Sequence, residues 1–313
     1  MNSIPETQNS ERQLDRLAAQ RVLYSTAKRI QFWQIVLSVP CVVALSFLVA
    51  LFPDLKPVAA AWGALLTILD VSYLSNRITA LREKAARIQE LFDCDVLQLE
   101  WLDLKAGHPP DPETIEEAAA KYRHKDPDYS KLRNWHTVEV GNLPLELARI
   151  ICQRANCRWD AELRQRYAGY VLAGAVALGA VVLGVGSIGG MTLDKFFLAV
   201  VLPLMPAWML VARQRKENKE SAAAINRLKE HTEKVWKKAI VGKMSADELA
   251  REARELQNEI FDRRRRSPLI FNGVYNRLQK AHEQQMIKST AQMIEDALKV
   301  KGMLTASTKE LNT

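Results

Sequence analysis

The chain has 313 residues, carries 44 Lys and Arg against 36 Asp and Glu for a net charge of +8, and holds four cysteines. That length gives room for one or two domains. A mean hydropathy near zero hides a segregated pattern: four windows almost free of charge, at 32–52, 58–74, 170–188 and 196–212, separated by highly charged segments. A basic balance can signal nucleic acid, but Lys and Arg beside apolar spans are the plainer source here, so no nucleic-acid partner is expected. The first thirty residues are polar, which excludes a secretory signal peptide. Cys94, Cys152 and Cys157 fall in segments read as cytoplasmic, where thiols stay reduced, and no disulfide is expected.

In chain order, residues 1–31 read as a short disordered start followed by a helix from about Ser10, with Ser10 as N-cap and Gln13 three residues on. Leu14, Leu17, Arg21, Tyr24 and Lys28 fall near one face. The reading is an amphipathic helix on the membrane surface, its Arg21, Lys28 and Arg29 toward anionic lipid. The first span, 32–52, is bounded by Phe32, Trp33 and Phe52, and Pro40 should kink it. Residues 53–57 form a tight turn. The second span, 58–74, carries Asp70 near its inner end. An ionisable residue inside a span is a functional candidate by default; interfacial placement, or pairing with Arg77, is the competing reading.

Ile78, Leu81, Ala85, Ile88 and Phe92 step by three and four, so the second span continues as an amphipathic helix. Residues 107–112 (Gly-His-Pro-Pro-Asp-Pro) are a loop, 113–122 a short helix, and 125–142 a loop holding Trp135 and His136. Pro144 then opens a long helix with no further proline up to residue 190, polar in its first half and uncharged from Ala168 on. Its upper part is the third span, rich in small residues, with Gly174, Gly179 and Gly184 allowing close helix approach or bending. The fourth span, 196–212, contains Pro203 and Pro206, expected to break its hydrogen-bond ladder. Beyond it lie a helix through Ile225, Leu228, Val235 and Trp236, a capping box at Ser245 and Glu248, and a last helix from about Gly273.

Both outer turns hold one Lys each, while the inner flanks are rich in Arg and Lys, which places both termini and the middle insertion in the cytoplasm. The fold class is therefore an all-α membrane protein: four transmembrane helices in two hairpins, with a helical cytoplasmic domain built from the middle insertion and the C-terminal helices. The segments are 1–31, an N-terminal amphipathic piece; 32–75, the first hairpin; 76–167, the insertion; 168–213, the second hairpin; and 214–313, the C-terminal helices.

No phosphate loop, HExxH, GxSxG or paired CxxC is present, and the five histidines are scattered and read as solvated. No enzyme, metal or cofactor is expected. The most specific feature is a polar stripe: Arg149, Gln153, Asn156, Asp160, Arg164 and Tyr167 step by 4, 3, 4, 4 and 3 and share one helix face, with Trp159 beside them. It serves either as a ligand or gating face or as a buried network locking the helix to its neighbours. The run Arg263, Arg264, Arg265 and Arg266 suits lipid headgroups or the phosphates of a signal molecule.

Four blocks resemble one family. They are Asn2-Ser-Ile-Pro-Glu-x-Gln-Asn9 with Ala18-Ala-Gln-Arg21 and Tyr24-x-x-Ala-Lys28; Leu91-Phe-Asp-Cys-x-Val-Leu-x-Leu-x-Trp101; Cys152-Gln-Arg-x-Asn-x-x-Trp-Asp-x-x-Leu-Arg-x-x-Tyr167; and Gln257-Asn-x-Ile-Phe-x-x-Arg-x-x-x-Pro268 with Tyr275. In order, they resemble the SMODS-associated four-transmembrane (S-4TM) family, described as pore-forming effectors of bacterial conflict systems. The resemblance implies an oligomeric inner-membrane protein triggered by a cyclic nucleotide second messenger or its synthase. Asp70, the three glycines and the two prolines would then be pore or hinge elements, and the polar stripe would couple sensor to pore. A non-conducting membrane anchor or docking protein is the alternative. A transporter is disfavoured, because the spans hold one ionisable residue and no clear inverted repeat.

Overall fold

Prolines and polar caps divide the chain into helices of very unequal length. A computed structural model describes residues 2–38, 40–188, 192, 194, 197 and 201–310, and every regular element among them is helical. α1 (Ile4–Thr7) and α2 (Glu11–Ser38) are followed by α3 (Pro40–Leu51), a 3-10 turn (Pro53–Leu55) and α4 (Lys56–Leu69). The turn Asp70–Leu74 is π-helical and leads without a break into α5 (Ser75–Val96). α6 (Asp103–Ala106) and α7 (Pro112–Arg123) flank the Pro-rich loop, and a 3-10 turn (Val138–Asn142) precedes α8 (Leu145–Ile188). α9 (Leu202–Ile240), α10 (Ala246–Arg266) and α11 (Asn272–Glu310) complete the described chain.

Two antiparallel pairs organise these elements. In the first, Arg16 of α2 meets Asp95 at the far end of α5, and Gln34 meets Asp70 and Ser75 at the near end. In the second, Arg154 of α8 meets Glu233 of α9, and Arg164 meets Asn218. α8 has 44 residues, about 66 Å at 1.5 Å per residue. α10 crosses between the pairs and touches α5, α8 and α9. Its start is the capping box expected from sequence: the Glu248 N–H donates to Ser245 Oγ at 3.2 Å, and the Ser245 N–H to Glu248 Oε2 at 2.7 Å.

One end of both pairs is buried in a common core that joins Leu14, Leu17, Phe92, Ile150, Ile151, Trp236, Leu256 and Ile294. The other end turns apolar side chains outward: Leu65, Ile68 and Val71 on the second helix, and Val176, Val181 and Leu183 on α8. Among the described residues, one continuous helix, Lys56–Val96, is long and apolar enough to cross a membrane by length and composition. The window 170–188 contains side chains outside the description, and the window 196–212 and the turn 189–195 fall partly on residues outside it.

Two expectations need correction. The N-terminal segment is neither disordered nor a lipid-surface helix. Asn2 donates to the carbonyls of Val140 and Leu143, and Ile4 is fully buried. Leu14, Leu17, Ala18 and Ala19 are buried against the rest of the body, because the face that looked amphipathic finds α5 and α7 rather than lipid. Ser10 does not cap α2 through Gln13: its hydroxyl donates to Thr7 O, and Gln13 reaches Asp95. The second correction is His136, which is buried rather than solvated. Its backbone N–H and carbonyl are held by the Gln8 amide at 2.7 and 3.0 Å. Burial pushes its imidazole down to about 4, and so it stays neutral.

Candidate functional site

The polar stripe of α8 splits into two environments. Its lower part is locked. Arg149 donates through Nε to Leu97 O at 2.6 Å. Gln153 is fully buried and donates to Ala253 O at 2.7 Å and to Gln257 Oε1 at 3.2 Å. Gln257 in turn donates to Glu90 at 2.7 Å and to Asp93 at 2.9 Å. Arg254 pairs with Glu90 at 2.8 Å, and Arg264 pairs with Asp93. Burial, and then the neighbouring Asp93, hold the Glu90 carboxyl above its ordinary range. Burial likewise pushes the thiols of Cys94 and Cys157 up to about 12, so they are inert there.

The upper part of the stripe lines an open cavity of about 1670 Å³ bordered by α2, α5, α7 and the loop after it, α8, α9, α10 and the segment from Ser267 to Asn276. Asn156, Trp159, Asp160 and Arg164 are on its wall. Arg164 pairs with Asp160 at 2.9 Å and donates to Pro268 O at 2.9 Å. Tyr167 lies just above, packed with Leu163, Ile270 and Leu278. Opposite stand Arg21, Tyr24 and Lys28 of α2, with Tyr275 bridging: its ring meets Trp159 edge-on at 6.0 Å and lies 5.1 Å from Lys28 Nζ. Twelve Lys and Arg line this cavity against three carboxylates, Glu117, Asp126 and Asp160. Arg21, Lys28, Arg29, Arg77, Lys84 and Arg164 among them belong to the basic segments that flank the apolar windows, so part of the flank charge converges on this cavity.

Lys28 reports the resulting field. Burial, followed by the positive charges of Arg21 and Arg164, pulls its ammonium down to about 8. Its partners are neutral, the Asn272 side-chain oxygen at 3.0 Å and the Tyr275 ring. Tyr24, pushed up to about 12 chiefly by burial, stays a neutral phenol. No group of three or more His, Cys, Asp or Glu among the described residues is placed to hold a metal.

Residues 2–293 match the SMODS-associating 4TM effector domain, nearly the whole chain. The chain belongs to this family. It is similar to a probable CBASS effector molecule of Bacillus cereus (strain VD146), 25% identical over 290 residues that cover 90% of this chain and 95% of that protein. No solved structure matches it.

The four sequence blocks that resembled this 4TM effector family converge on this region. Tyr24 and Lys28 from the first, Asn156, Asp160 and Arg164 from the third, and Arg264, Pro268 and Tyr275 from the fourth line the cavity, while Asp93 of the second anchors Arg264 beside it. Reading the sequence alone assigned Lys28 and Arg21 to lipid and gave Tyr24 and Tyr275 no ligand role. The signal was the spacing Arg21, Tyr24, Lys28, which sets two cations and a phenol on one face.

The other candidates lie elsewhere. The arginine run does not form one patch, because successive residues on a helix diverge by 100°. Arg263 and Arg264 face the cavity, Arg265 pairs with Asp262 at 3.0 Å, and Arg266 is exposed. Asp70 accepts hydrogen bonds from Gln34 and from Ser75 (2.8 Å), not from Arg77. Gly179 approaches α9 closely: a Cβ there would lie 3.1 Å from Trp208, whereas Gly174 and Gly184 face open space. Positions 203 and 206 both fall within the helix Leu202–Ile240, and their side chains lie outside the described residues.

Proposed function

We propose that this protein is a bacterial inner-membrane effector of antiphage defence that forms a pore when a nucleotide second messenger appears. The observation that carries the reading is the continuity of its long helices. Lys56–Val96 and Leu145–Ile188 each run from a buried polar body into a half whose apolar side chains point outward. A rigid rod fixed in a cytoplasmic body transmits a change there to its membrane half. In this reading the windows 32–52, 58–74, 170–188 and 196–212 are four spans in two hairpins, with both termini and the insertion in the cytoplasm. The relative named as a probable CBASS effector supports the signalling context.

Action is by permeation and not by catalysis, and several copies assemble around the conducting path. The segment after α10 is the coupling element. Leu269 packs with Ala27 and Leu81, and Ile270 with Leu163 and Tyr167, so one short stretch touches α2, α5 and α8 below their apolar halves. Arg164 grips its Pro268 carbonyl.

The test is a voltage-sensitive dye in cells that express the protein with and without the nucleotide synthase of its own system. Rapid depolarisation only with the synthase is expected, and Asp160→Ala, which frees Arg164, should abolish it while membrane insertion persists. An unchanged potential with the synthase active would replace the pore with a non-conducting anchor.

A further inference from the structure

We propose that the cationic cavity is a receptor site for a small ligand carrying two or more phosphate groups, with Lys28, Arg164 and the Asn156 amide at the phosphates and Tyr275 and Trp159 beside an attached base. The site deepens the reading above and rests on it for the identity of the ligand.

Three independent features of the wall point to an anion. The first is charge: cations outnumber carboxylates twelve to three, and Lys28 has no carboxylate among its partners within the described residues. Crowding of like charges in a partly desolvated wall costs free energy that a phosphate relieves. The second is an orphan donor. Asn156 Nδ2 is buried with no hydrogen-bond partner, on the same face as Arg164 two turns on. Other buried polar atoms lack a partner too, Asp93 Oδ1 and Gln153 Oε1 among them, and Asn156 Nδ2 stands apart because its residue lines the cavity. The third is shape. About 1670 Å³ exceeds the roughly 300–1,000 Å³ of ordinary small-molecule sites, which suits a ligand of several linked units. Aromatic rings beside guanidinium and ammonium groups are the combination that holds bases and phosphates together.

A lipid headgroup offers the same phosphate chemistry, and the cavity lies on the side of α2 and α5 that leads to their apolar ends. The experiment separates the two sources. Full-length protein is placed in phosphatidylcholine nanodiscs and acetylated at its lysines, with each site followed by mass spectrometry. Inorganic triphosphate should slow labelling of Lys28 several-fold and leave Lys237, exposed and away from the cavity, unaffected. Asn156→Ala, which removes no existing hydrogen bond, should raise the triphosphate concentration for half-protection about tenfold. Equal response at Lys28 and Lys237, no response at either, or unchanged protection in Asn156→Ala would overturn the site. Full protection in phosphatidylglycerol nanodiscs without triphosphate would assign the phosphate to lipid and overturn a soluble ligand. Protection without signal-dependent depolarisation in cells would sink the pore and spare the cavity; depolarisation without protection would do the reverse.

Discussion

Two stretches of one helix carry similar side chains and use them differently. Around Gln153, every strong charge meets an opposite charge or an amide: Glu90 with Arg254, Asp93 with Arg264, and Gln257 between them. About three turns further on, Arg164 keeps Asp160 and the Pro268 carbonyl, but across from it Lys28 has no carboxylate partner among the described residues and is pulled down to about 8 by burial and by Arg21 and Arg164. A closed network of buried polar groups specifies a packed arrangement. An open one of the same residue types holds a charge imbalance that folding alone does not explain. The difference separates residues that hold the body together from residues free to serve a ligand.

The largest effect should come from the closed side. Asp93→Ala strands Arg264 and Gln257 in the core, and losing one partner of a buried pair costs about 3–5 kcal/mol. Thermal unfolding in detergent should show a large drop in midpoint; a small one would mean that the network is not structural. Gln153→Leu breaks two buried hydrogen bonds and should cost about 1–3 kcal/mol, read in the same way. Asn156→Leu, on the open side, should leave the midpoint within error while weakening the signal-dependent depolarisation. A fall as large as that of Gln153→Leu would erase the distinction between the two stretches.

Acidity sharpens the contrast further. Lys28 has a folded-state value near 8 against 10.5 for a free lysine. Its charge therefore opposes folding at neutral pH, where both states are protonated, and that penalty fades as pH rises from about 8 to 10.5. Arg21, Arg164, Tyr24 and Tyr275 are the charged and phenolic groups that face it. The stability gap between Lys28→Met and wild type should narrow across that window, as followed by unfolding at pH 7, 9 and 10.5; a gap that stayed level up to 10.5 would mean that the folded protein does not disfavour the ammonium, as when an acid holds it.

Much of the fold was legible because its signals are local. Pro144 and the uninterrupted run after it predict a single long helix, and Ser245 with Glu248 predicts the start of α10, as found. The stripe from Arg149 to Tyr167 was legible as one face, but its division into a locked half and an open half was not. That division depends on where α5 and α10 cross α8, and no periodicity encodes a crossing. The N-terminal helix shows the same limit. Leu14 and Leu17 mark an apolar face in either setting, and only tertiary contact distinguishes a protein core from a lipid surface. Lys28 was misplaced for that reason, since its four-residue step from Tyr24 fits headgroups and a cavity equally well.

The central claim is that Lys28, the cavity cation with no carboxylate among its partners in the described residues, serves a ligand and not the fold, and thermal unfolding of Lys28→Met beside wild type at pH 7 in the same detergent tests it most directly. Methionine keeps the stem and removes the charge. The account predicts a midpoint at or above that of wild type, together with loss of the signal-dependent response. A midpoint lowered as far as that of Asp93→Ala would show that Lys28 holds the body together, and would contradict it.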